Sequence, residues 1–136
     1  MKRPVMQLGL AAAIMLCWSV QAQTINLRAQ VPFPFHAGAT LMPAGEYEVR
    51  DTGGAVVVRD ESSGQAVMAL TNEDFRRDHP KTGVLEFNRY GGTYFLARIW
   101  TANSGQGRAL LQSRRERQLA REFGLPQKIG IALERR

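Results

Sequence analysis

The chain has 136 residues, of which 44% are hydrophobic and 22% charged, with a formal net charge of +6. That is ordinary globular composition with room for one domain, and it excludes a disordered tail, a collagen-like repeat and a multidomain enzyme. No internal repeat at a fixed period and no low-complexity tract interrupts it.

Residues 1–22 carry the marks of a signal peptide. Met1-Lys2-Arg3 is a positive start, "LGLAAAIMLCWSV" is an apolar run of signal-peptide length, and Val20-Gln21-Ala22 puts small residues where a signal peptidase reads them. Cleavage is expected between Ala22 and Gln23, with export to the periplasm or the exterior. The apolar run is too short for a membrane span, and none is expected after cleavage. Cys17 lies inside this run behind Leu16, where lipid attachment needs a small residue. Residues 23–136 are then a disulfide-free single domain that must rest on its core alone.

Charge is unevenly placed. Residues 23–107 carry 8 basic and 9 acidic groups, whereas residues 108–136 carry 8 basic against 3 acidic. The basicity belongs to the C-terminal region.

In chain order, Ile25, Leu27, Ala29, Val31, Phe33 and Phe35 alternate with polar residues and prolines, which predicts a half-buried strand. Pro32 and Pro34 withhold two donors from one edge, so this strand lies at an edge or bends there. Pro43-Ala44-Gly45 is a turn. Glu46–Arg50, "AVVVRD" and "AVMALTN" then form a meander of hairpins, separated by Asp51-Thr52-Gly53-Gly54 and Glu61-Ser62-Ser63-Gly64. "EDFRRDHPKTG" reads as a surface loop or single helical turn. "VLEFNRYGGTYFLARIWT" is a hairpin about Gly91-Gly92, with positive φ expected at both glycines and with Tyr90 opposite Thr93, Arg89 opposite Tyr94, Phe87 opposite Leu96 and Leu85 opposite Arg98.

After a flexible "ANSGQG" the period changes from 2 to 3.6. Ser113-Arg114-Arg115-Glu116 is a capping box in which Ser113 accepts from the Glu116 amide and Glu116 reaches back. Gly124 and Pro126 close a helix over about 114–123. Glu116, Leu119, Ala120 and Phe123 share one face; Arg114, Arg117, Gln118 and Arg121 share the opposite one. Ile129, Ile131 and Leu133 alternate in a last strand over about 128–134. The expected fold is mainly β: a small antiparallel sandwich or partly open barrel of about seven strands with one helix near the C-terminus. Its core is expected from Leu27, Val31, Phe33, Tyr47, Val49, Val57, Leu85, Phe87, Leu96, Leu119 and Phe123.

At "VPFPFHAGATLMPAGEYEVR", "RYGGTYFLARIWTANSGQGRAL" and "SRRERQLAR" the chain resembles a functionally uncharacterised family of small exported bacterial β-rich proteins. That family shares a V-P-F-x-F start, an L-P-A-G-x-Y-x-V turn, a Y-F-L-A-x-x-W strand and an S-x-x-E-R-x-L-A helix. Met42 here interrupts the family's Leu-Pro pair. The resemblance implies export and a β-rich fold and supplies no activity.

Chemistry-bearing motifs are few, and no catalytic residue, metal ligand or cofactor site is assigned. A zinc site would need both His36 and His79 with carboxylates far apart in sequence. Glu73, Asp74 and Asp78 around Phe75 match no calcium-loop spacing. His79 beside Asp78, or with Glu73, is the arrangement a small hydrolase would use, but no nucleophile stands in a recognisable setting. The glycine pairs lack the context of a phosphate cradle. Tyr90, Tyr94, Phe95 and Trp100 could form an aromatic platform but suit cross-strand packing better.

The sharpest remaining feature is the stripe Arg114, Arg117 and Arg121. It suits anionic envelope lipid, polysaccharide or an acidic protein. Nucleic acid fits the charge but not the exported address. The leading expectation is a non-enzymatic envelope or extracellular binding or scaffolding domain; the alternatives are the hydrolase and a carrier enclosing a small apolar ligand.

Overall fold

The computed structural model describes residues 27–135, so the signal peptide expected over 1–22 and its cleavage site lie outside the described residues. The fold is mainly β with one helix, and its sheet does not close. The first alternating segment breaks at Pro32-Phe33-Pro34 into β1 (Leu27–Val31) and β2 (Phe35–Ala37), because neither proline can donate to a ladder. β2 folds back on β3 (Thr40–Met42) as a short hairpin. There follow β4 (Gly45–Asp51), β5 (Ala55–Asp60), β6 (Ala66–Phe75), β7 (Val84–Tyr90), β8 (Thr93–Trp100) and β9 (Gln106–Leu110). The chain ends in α1 (Arg114–Phe123), β10 (Gln127–Ala132) and β11 (Glu134–Arg135). The strand number exceeds the expected seven because β2 and β3 are separate short pieces, Gln106 and Gly107 of the "ANSGQG" expected to be flexible pair as the start of β9, and the last strand divides at Leu133.

The strands follow the order β10-β7-β8-β9-β6-β5-β4-β1-β11, with the β2–β3 hairpin docked on β8. Two strands turn this path into two facing layers. β6 pairs with β5 through Ala66–Leu70 and with β9 through Thr71–Phe75. β10 lies on β7 and β11 on β1, with only Leu133 between them. Strands that pass from one layer to the other make the corners of such a sandwich. Glu73 to Phe75, expected in a loop, therefore belong to β6.

The core between the layers takes Val31 from β1, Phe35 from β2, Tyr47 and Val49 from β4, Val56 and Val58 from β5, Leu85 and Phe87 from β7, and Leu96 and Ile99 from β8. Phe35 meets Tyr47 and Phe87 edge-on, and Phe33 stacks on Tyr94 at a centroid distance of 3.8 Å. Of the three consecutive valines, Val57 is the outward one, paired with Met68 across the strands. The expected core position was thus one residue out of phase; a uniform run of valines gives no alternation to set the face. Leu27 and Phe33 are only half-buried against this core.

The hairpin about Gly91 holds the expected partners from Tyr90–Thr93 to Phe87–Leu96. Beyond them a bulge intervenes, so Arg98 faces Glu86 and Leu85 faces Ile99 rather than Arg98. The extra residue, Ala97, keeps Ile99 in the core and turns Arg98 outward, where it holds Asp74 at 2.8 Å and Glu86 at 3.0 Å. Only Gly91 has positive φ, 59°, as in a type II′ turn rather than the type I′ turn that needs it at both glycines. Gly107 answers a different need. It sits opposite Trp100, and a Cβ there would lie 2.4 Å from the indole Cε3, so the ring occupies the space a side chain would take.

Candidate functional site: the basic helix and its seat

α1 forms where local chemistry dictates. Ser113 Oγ accepts from the Glu116 amide at 3.2 Å, and at the far end the Gly124 amide donates to the Ala120 carbonyl at 2.9 Å with φ 77°. Glu116 does not reach back to the cap as expected. Its side chain turns inward and is only 4% exposed. Oε2 accepts from Asn88 Nδ2 and from the Tyr90 hydroxyl, each at 3.1 Å, and from Gln112 Nε2 at 3.5 Å. These donors substitute for water around a buried carboxylate. Burial, then the facing Glu116 charge, pushes Tyr90 up to about 12.

Leu119 completes this seat against Tyr90 and Phe95, with Ala120 at its margin. His36 stacks on Phe95 at 4.8 Å, and burial together with the Arg115 charge holds its imidazole below the ordinary 6.5. Tyr90, Phe95 and Trp100 are buried and Tyr94 is half-buried. They are packing residues rather than an open platform.

With Glu116 and Leu119 inward, Arg114, Arg117 and Arg121 are all exposed, as is Arg115. None of the four forms an ion pair with any described residue. Five other described arginines are tied to carboxylates, Arg28 to Glu46 and Glu61, Arg50 to Glu48, Arg76 to Asp78, Arg98 to Asp74 and Glu86, and Arg108 to Asp51, whereas Arg59, Arg77, Arg89 and Arg135 stand singly without an ion pair to a described residue. Phe123, expected in the core, is 57% exposed. It lies over the Gly91 turn, its ring 3.2 Å from where a Cβ on Gly91 would be, because α1 runs past the end of the β7–β8 hairpin before its last turn. Leu125, which the helical projection did not reach, is 96% exposed.

The residues of the hydrolase alternative are not brought together. Glu73 faces outward opposite Arg108, while Asp74, its neighbour along β6, points to the other face and Arg98. Both Asp78 oxygens bond to Arg76, and this hydrogen bonding lowers the Asp78 carboxyl below its ordinary value. His79 is exposed and lies against Gly105. Asp51, Glu73, Asp74 and Arg108 line a cavity of about 110 Å³ open to solvent. Among the described residues no three of His, Cys, Asp or Glu come close enough to hold a metal ion. No described helix is long and apolar enough to cross a membrane. Comparison with known proteins finds no matching family model, no matching curated protein and no matching solved structure.

Proposed function

We propose that the protein is an exported, non-enzymatic binding domain of the cell envelope or exterior that engages an anionic partner through Arg114, Arg117 and Arg121. The observation that carries this reading is the contrast in arginine pairing. Five arginines elsewhere are tied to carboxylates and the rest of the described ones, Arg59, Arg77, Arg89 and Arg135, stand singly, whereas along α1 the fold turns Glu116 inward and leaves Arg114, Arg115, Arg117 and Arg121 exposed without an ion pair to a described residue, with Glu122 the exposed carboxylate of the helix. Unpaired like charges on a rigid helix raise the local potential and attract polyanions. The carrier alternative draws no support from an interior filled by Phe35, Tyr47, Phe87 and Leu96, and the hydrolase alternative none from an Asp78 engaged by Arg76.

The test is binding of wild type and of the Arg114→Gln, Arg117→Gln, Arg121→Gln triple variant to anionic vesicles and to an acidic polysaccharide across a salt series. Wild-type binding should weaken with salt and the variant should bind more weakly to at least one of the two. Equal binding by both proteins at low salt refutes the role of the stripe.

A further inference from the structure

The geometry points to a lipid bilayer as the anionic partner, with Leu125 and Phe123 entering the interface beside the arginine stripe; this rests on the reading of α1 as an anion-binding helix. The two side chains flank Gly124 at the exit of α1, so the charged stripe leads directly into an apolar tip. Leu125 is 96% exposed. It is not carried on a loose tail. On one side the Gly124 amide ties the turn to Ala120. On the other, Pro126 restricts the backbone and Gln127 enters the β10–β7 ladder opposite Arg89.

Arg89 braces the same corner. Its Nε donates to the Gly91 carbonyl at 2.7 Å, and its guanidinium lies over Tyr94. A shallow depression lined by Arg89, Gly91, Phe123, Leu125 and Gln127 separates the tip from the hairpin turn. Cations flanking a projecting leucine and a half-exposed phenylalanine match the two layers of a membrane interface: anionic headgroups for Arg121 and Arg89, acyl chains for Leu125 and Phe123. A soluble polyanion would satisfy the arginines but offers the leucine nothing. Of the other exposed large apolar side chains, Leu41 lies on β3 and Met68, Leu70 and Phe75 on β6, while Leu111 precedes the opposite end of α1; Leu125 is the most exposed of them all.

The test uses the whole chain, wild type and variants recovered in the same form, with phosphatidylglycerol–phosphatidylcholine vesicles, pure phosphatidylcholine vesicles and heparin as probes. Leu125→Ser should leave the unfolding midpoint and heparin affinity unchanged while weakening binding to the anionic vesicles about tenfold, the worth of a partly immersed leucine. The indole introduced by Leu125→Trp should shift to shorter wavelength on those vesicles and be quenched by brominated acyl chains. If Leu125→Ser binds vesicles as wild type does and the new indole is unquenched, while the triple arginine variant still loses binding, the bilayer inference falls and the anion-binding reading stands. Heparin binding without vesicle binding has the same meaning. If the triple arginine variant loses nothing on either probe, the reading itself falls. Lost vesicle and heparin binding together in Leu125→Ser would mark a disturbed helix exit and overturn the inference.

Discussion

The core between the layers and the seat beneath α1 are built on opposite plans. Between the layers, large apolar side chains from β1, β2, β4, β5, β7 and β8 interlock, and the buried carboxylate on that face of β5, Asp60, accepts from the Ser62 amide at the strand end. Beneath α1, the buried apolar cluster among the described residues is Tyr90, Phe95 and Leu119 with Ala120 at its margin, and Glu116 joins the helix to β7 through hydrogen bonds. The first region stabilises by burying area, and its cost of damage scales with volume lost. The second stabilises through a few satisfied polar groups, so damage there depends on which donors are left without a partner. The sheet therefore holds its shape independently of the helix, whereas the helix depends on the sheet.

The largest way to break this contrast is Phe87→Ala. Phe87 is fully buried against Phe33 and Phe35, and its truncation should cost about 3–5 kcal/mol in chemical denaturation. A cost under roughly 1 kcal/mol would mean the faces of β7 are reversed. Next comes Glu116→Ala, which strands Asn88 Nδ2 and the Tyr90 hydroxyl and should cost about 1–3 kcal/mol. Here amide exchange should rise in α1 while the β4 and β5 amides stay protected; a uniform loss across both would show that the two regions unfold as one unit.

A smaller effect is expected from His36. Its folded value lies below 6.5, so as pH falls below about 6.5 the unfolded chain takes up the proton first and stability declines through the lowered folded value. Denaturation midpoints should thus be lower at acid pH, and His36→Phe, keeping the stack on Phe95, should remove this part of the slope. The smallest effect is that of the arginine stripe on folding. Replacing Arg114, Arg117 and Arg121 by Gln should change stability within about 0.5 kcal/mol per site, and a cooperative loss beyond this would show that the arginines support the helix.

What could be seen in the sequence was what local chemistry decides. Ser113, Gly124 and Pro126 bound α1 without help from the rest of the fold, and Gly91 set the β7–β8 turn. The bulge at Ala97 could not be seen from the hairpin alone, because β8 meets β2 at Phe95 and β9 from Arg98 onward on its far side, and the extra residue falls between those partners. β9 was hidden by glycine: Gly107 looks like a flexible link until Trp100 is known to lie across it. For the site, helical projection found which face of α1 carries arginine. It misplaced Phe123, since the projection assumes the sheet extends under the whole helix, whereas the hairpin turns back at Gly91. The inward use of Glu116 had a signal in Asn88 and Tyr90, polar residues on adjoining β7 positions, but pairing them with a helix residue required the tertiary fold.

The crossing at Leu133 has a consequence for the order of assembly. β1 waits for β11, with Leu27 opposite Arg135, and β7 waits for β10. Until the segment after α1 arrives, a growing chain carries two unsatisfied edges, one in each layer, each able to recruit a neighbouring molecule. That one segment quenches both at once. Its late position in the chain makes the interval before it arrives the period in which the domain is most open to aggregation, and gives any chaperone that shields strand edges its natural window.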